Sequence, residues 1–354
     1  MKRHVAAGAR DGLQRLLLAA LVVLLVVGYV GGQELPPIPL AIRDVTTIPG
    51  VSARPVVGET RCDVSGNVYL RMLQGGDPLA APVVKLPPDG KAATRFDVRS
   101  VRGFERSVAY DFAVSLRGEV YLVTAEEEGK PAVVVFREDG TYDRTIRPES
   151  LREASRIQAF SSGELLILGT LGQERHQGSS ERPVTAVFDG SGKLLRVVNL
   201  PKEPAAGGRG GLTGEEREQL LDLQRAFPGD DGNVYVFRPR TLFRVGSPTP
   251  IWVVSPAGEV VRTVNATPPD ETFKAFAIRQ GGGRIAVQFI ETKEGGSLLR
   301  HILSILDAET GEKLVDYDVP IGVGGLLACY TPNGFSFLGR GKEGEVTLEF
   351  APLK

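Results

Sequence analysis

A glycine able to reverse the chain recurs six times, at Gly66, Gly118, Gly163, Gly232, Gly283 and Gly334. The successive intervals are 52, 45, 69, 51 and 51 residues. A near-fixed period of this size marks an array of one repeated supersecondary unit. The stretch after each glycine is apolar: Val68-Tyr69-Leu70, Val120-Tyr121-Leu122, Leu165-Leu166-Ile167, Val234-Tyr235-Val236, Ile285-Ala286-Val287 and Phe335 to Leu338. A second hairpin follows in five repeats: KLPPDGK from Lys85, VFREDGT from Val135, VFDGSGK from Val187, VVSPAGE from Val253 and ILDAETGE from Ile305.

The clearest copy runs from Phe112 to Pro148. Ala113, Val114 and Leu116 read as a first strand. Gly118 turns the chain, having no Cβ to clash at positive φ. Val120 to Val123 is a second strand of β-branched and aromatic side chains. A charged loop, Glu126 to Lys130, leads to a third strand, Ala132 to Phe136. Asp139-Gly140 is a hairpin turn, and Tyr142 to Ile146 a more polar fourth strand. Four antiparallel strands per repeat is the pattern of a propeller blade, so the chain reads as all-β with six four-stranded blades. The sixth repeat stops after Val346 to Phe350, one strand short. A ring must close or leave a sheet edge open, and Ile42 to Ile48 can supply the missing strand. A five-bladed ring with loose ends and a sandwich are the alternatives.

GNVYL at Gly66 and GNVYV at Gly232 resemble the NHL repeat. From Ile42 to Lys354 the chain resembles six-bladed β-propellers of the NHL and TolB-like kind. The resemblance implies architecture only. An NHL strand usually carries an Asp soon after this run, whereas the corresponding places here hold Met72, Thr124, Gly169, Arg238, Phe289 and Arg340.

The chain opens with a basic leader, Lys2, Arg3, His4, Arg10 and Arg15, before the charge-free run Leu16 to Val30. Residues 1–32 read either as a cleaved signal peptide or as one apolar helix anchoring the chain in the inner membrane. Positive charge before the apolar run keeps the leader inside and exports the body, to the periplasm or the cell exterior. Residues 33–41 are Pro-rich and read as a stiff linker. Residues 42–354 form the propeller. Its Gly and Pro content, 43 and 24 in the whole chain, fits a turn-dense β fold. The whole chain carries a formal charge of −1. Residues 1–32 hold four Lys/Arg and one Asp, which leaves the body near −4. That balance does not suggest nucleic acid, whose binders need a basic footprint.

Cys62 and Cys329 are the two cysteines, each shortly before a turn glycine of the first or last blade. A disulfide there would clasp the ring. Two buried unpaired thiols are the reading favoured by the spacing of inner strands, which can exceed the roughly 7 Å Cα limit for a bridge. The long interval from Gly163 to Gly232 contains an insertion at 202–227. Thr213 with Glu216 reads as a helix start, and Leu220, Leu223 and Phe227 share one helical face.

Strand order sorts the loops onto two faces. Turns after first and third strands are short, and loops after second and fourth strands are long. Long loops on a rigid scaffold carry binding, so that face is the expected binding face, with candidates Arg106, Glu127, Arg175, His176, Arg238, Arg240, Lys293 and Arg340. The partner there is a protein or small ligand at the channel mouth. No catalytic residue, cofactor or metal set is assigned. His176 and His301 lack paired ligand spacing, and no GxSxG, Walker or dinucleotide fingerprint stands in a suitable context. The favoured function is an exported, non-catalytic binding or scaffold propeller. One alternative is a lactonase-like metal hydrolase, with Asp63, Asp111 and Asp230 converging in the channel. Another is the sensor part of a membrane-anchored assembly.

Overall fold

In the second strand of blade after blade the hydrophobic pattern is continuous and not alternating, as in Val120–Ala125, because both faces are covered. The computed structural model describes residues 36–48, 60–71, 78–89, 93–172, 183–199, 221–237, 245–293, 297–322, 325–341 and 345–353. Six sheets are found among them. Blade 1 comprises Arg61–Cys62, Val68–Arg71, Val83–Leu86 and Thr94–Phe96. Blade 2 comprises Asp111–Val114, Val120–Ala125, Pro131–Phe136 and Tyr142–Ile146. Blade 3 comprises Leu151–Ala159, Leu165–Leu171, Pro183–Phe188 and Leu194–Val197. Blade 4 comprises Asp222–Pro228, Val234–Phe237, Thr249–Val254 and Val260–Ala266. Blade 5 comprises Lys274–Gly281, Arg284–Thr292, Leu298–Asp307 and Lys313–Asp318. Blade 6 comprises Leu326–Thr331, Gly334–Arg340 and Val346–Pro352, completed by Asp44–Thr47.

Each seam between neighbouring blades holds its own apolar core. Phe96 packs with Phe112 and Phe136 between blades 1 and 2, and Tyr121 and Val133 with Ile157 and Ile167 between 2 and 3. Leu166 and Val187 meet Val234 and Trp252 between 3 and 4, and Tyr235 and Val253 meet Val287 and Phe289 between 4 and 5. Leu303 and Ile305 meet Phe335 and Phe337 between 5 and 6. Leu338 and Leu348 meet Val68 and Val84 between 6 and 1. The last pairing closes the ring. The inner strands contact one another in the same cyclic order. Gly118 illustrates the turn requirement: its φ is +86°, and a Cβ there would lie 2.9 Å from the Tyr69 hydroxyl.

Closure comes from both chain ends. Asp44–Thr47 runs antiparallel to Val346–Pro352, with Asp44 opposite Phe350 and Thr47 opposite Thr347. One strand was not anticipated. Ile38–Pro39, inside the stretch read as a linker, pairs in parallel with Lys313–Asp318 and gives blade 5 a fifth strand. The Leu40 amide then donates to Asp318 O at 2.8 Å, and the Leu40 side chain is buried at the seam of blades 5 and 6.

Two expectations are corrected. Cys62 and Cys329 are joined by a disulfide with Cα atoms 5.5 Å apart, so they are not unpaired thiols. Inner strands converge toward the axis, and at the seam of blades 6 and 1 they come within the bridging limit. Leu223 and Phe227 are not on a helical face. They lie on the inner strand Asp222–Pro228, where Phe227 opposes Tyr235. Pairing with Val234–Phe237 there overrides the local helical period. The remainder of the insertion, the leader at residues 1–32, and Arg175, His176, Arg238 and Arg240 fall outside the described residues. Among the described residues no helix is long and apolar enough to cross a membrane.

Candidate functional site

An innermost strand has one edge with no strand beside it, so its backbone carbonyls need other donors. Arginine and glutamine side chains supply them here. Arg61 of blade 1 donates to Leu223 O of blade 4 at 3.2 Å and to Thr60 O at 3.3 Å. Its guanidinium lies 4.0 Å from Asp111 of blade 2, whose other oxygen accepts from the Ile157 amide of blade 3 at 2.9 Å. Arg279 of blade 5 donates to Ala328 O of blade 6 at 2.7 Å, to Ile278 O at 2.7 Å and to Thr60 O at 3.3 Å. It also stacks 4.1 Å above the Phe227 ring of blade 4. Gln158 of blade 3 donates to Ala226 O of blade 4. Side chains from opposite blades thus meet across the axis and plug it. The planar, multi-donor guanidinium suits this role, since one group can reach carbonyls of several strands.

Arg279 is 4% exposed and has no carboxylate partner among the described residues. Burial, and then the cation of Arg61, hold its pKa well below the usual arginine value. Above it, on the face of the short turns, lies a cavity of about 230 Å³. Phe227, Pro228, Leu116, Val64, Tyr330 and Pro332 give it apolar walls, and Cys62 brings the disulfide to its surface. Asp63 and Asp230 also line it.

Both aspartates are already held by neighbours. Asp63 accepts from the amides of Ser65 and Asn67, from Asn67 Nδ2 at 2.7 Å and from the Tyr69 hydroxyl at 2.9 Å. Burial, and then the Asp63 charge, push the Tyr69 pKa upward, so the phenol stays a donor. Asp230 accepts from Gln280 Nε2 and from the Gly283 amide, tying blade 4 to blade 5. Asp63, Asp111 and Asp230 therefore serve three separate local networks. Among the described residues no three His, Cys, Asp or Glu side chains group as a metal set.

On the long-loop face, Arg106, Glu127 and Lys293 are all exposed, Arg106 on the loop leading into blade 2, Glu127 on a loop within blade 2 and Lys293 on a loop of blade 5. Arg340 stands on a strand of blade 6 opposite Val346. A broad open groove of about 470 Å³ lies there between blades 2 and 3, lined by Glu128, Lys130, Arg152 and Glu153 among others. Lys130 and Glu128 pair with each other at 2.7 Å on the open surface. Sequence reasoning missed Arg61, Gln158 and Arg279. The available signal was a long polar side chain inside an inner strand, just before the turn glycine.

No protein family and no curated protein matches this sequence. Among solved structures, the WD40 domain of Neurospora crassa Pan2 is similar at 12% identity, with a TM-score of 0.45, over 90% of this chain and 98% of that one. A putative TolB from Agrobacterium tumefaciens is similar at 14% identity, with a TM-score of 0.43, over 83% of this chain and 90% of that one. The β-propeller domain of the Trilobed protease from Pyrococcus furiosus is similar at 13% identity, with a TM-score of 0.40, over 79% of this chain and 75% of that one. None of their roles passes to this chain.

Proposed function

We propose that this protein is an exported binding propeller whose ligand enters the cavity on the short-turn face. The observation that carries this reading is the cavity itself: about 230 Å³, mostly apolar, closed below by the arginine plug. Apolar concavities with a few convergent polar groups are the usual form of small-ligand sites. Its size suits a single ring or short chain. Two features support export. The basic leader precedes an apolar run, and the ring is clasped by a disulfide, a bond that persists in oxidising compartments.

The test is a ligand-observed ¹⁹F NMR screen of small fluorinated ring compounds against the native chain and two variants. Val64 is 60% exposed at the rim, so Val64→Trp narrows the mouth without entering the core. Glu127→Trp places equal bulk on the long-loop face. Binding lost in Val64→Trp and retained in Glu127→Trp is the expected result. Binding that survives Val64→Trp, or is lost only in Glu127→Trp, contradicts it.

A further inference from the structure

Arg279 makes one hydrogen bond from each of its three side-chain nitrogens, all to backbone carbonyls. A guanidinium carries more N–H groups than that, so donor capacity remains. Carbonyl dipoles do not neutralise it. Arg61, another cation of the axis, repels it, and Asp111 lies beside Arg61. A buried charge without a counter-charge is costly, and an anion beside it offsets much of that cost. The cavity opens directly onto Arg279, and apolar Phe227, Pro228 and Leu116 stand around the space above it.

We infer that the ligand of this cavity is a small aryl or alkyl monocarboxylate, its carboxylate seated on the Arg279 guanidinium and its apolar body against Phe227, Pro228 and Leu116. The inference rests on the cavity being the binding site. Charge-assisted, two-pronged recognition of carboxylate is what a guanidinium does best. The two aspartates restrict the class further. The carboxylates of Asp63 and Asp230 stand at the cavity wall, bonded to neighbours. They oppose a second negative group on the ligand, so dicarboxylates and phosphate dianions are disfavoured and one deep carboxylate is accepted.

The test compares three probes on the native full chain by ¹⁹F NMR titration: 4-fluorophenylacetate, its neutral amide 4-fluorophenylacetamide, and the cationic 4-fluorophenethylamine. The acid is expected to bind about ten-fold more tightly than the amide, with the amine weakest. Arg279→Gln should bring the acid down to the level of the amide while the amide is unchanged. Val64→Trp should remove both. Acid and amide binding equally, or the amine binding best, with Val64→Trp still blocking them, overturns the anion seat and leaves the cavity reading standing. No binding sensitive to Val64→Trp by any of the three overturns the cavity reading and this inference together. If Arg279→Gln does not fold, the ranking of the three probes on the native chain decides.

Discussion

Asp139, Asp189, Asp270 and Asp307 are exposed or half-buried carboxylates that hold turns closed. Asp139 accepts from the hydroxyl and amide of Thr141, Asp189 from those of Ser191, and Asp270 from those of Thr272. Asp307 accepts from the amides of Glu309 and Thr310 and from the Thr310 hydroxyl. These bonds hold all four pKa values below the usual carboxylate range. The side-chain donor leads for Asp139, Asp189 and Asp270, and the Thr310 amide for Asp307. A depressed folded pKa stabilises the fold above the unfolded value, and that contribution is lost as pH falls through the folded value. Stability should therefore decline as pH drops below about 4. Urea midpoints measured across acid pH should fall less steeply in a combined D139N, D189N and D307N variant, and an unchanged slope contradicts the assignment. Such turns were legible in the sequence, because Asp139-Gly140 needs only its neighbours to declare a hairpin. Arg279 was not, because its meaning depends on Thr60, Phe227 and Ala328, which lie on three other parts of the ring.

At the scale of elements, the clasp is the informative part. The sixth repeat was visibly one strand short, and Asp44–Thr47 fills the gap. Ile38–Pro39 was not legible, since two residues in a Pro-rich stretch carry no period to read. Asp222–Pro228 was misread because Leu220, Leu223 and Phe227 fit a helical spacing, whereas the blade needs a strand before Gly232. The disulfide ties the first and last inner strands across 267 residues of sequence. The chain-entropy account gives a loop this long about 5 kcal/mol at most, and about 2–4 is typical of measured bridges. A C62S and C329S double variant should unfold at lower urea, by about 2–4 kcal/mol in stability, with its sheet content retained in far-ultraviolet circular dichroism. Equal stability of the two forms would show that the paired strands alone secure the seam.

At the scale of the whole molecule, six blades, two termini and an axis crossed by arginines leave two unlike faces. Among the described residues of the long loops, Arg106, Glu127 and Lys293 are exposed. The short turns converge on one apolar hollow with a buried cation beneath it. Loop length read from sequence pointed to the first face, because long loops are visible in a sequence and a hollow made by short turns of several blades is not. Hydrogen exchange with and without saturating 4-fluorophenylacetate separates the two without any substitution. Slowed exchange at the turns around Val64, Leu116, Asp230, Gly282 and Pro332 is the predicted result. Slowed exchange confined to the loops around Arg106, Glu127 and Lys293 would contradict it.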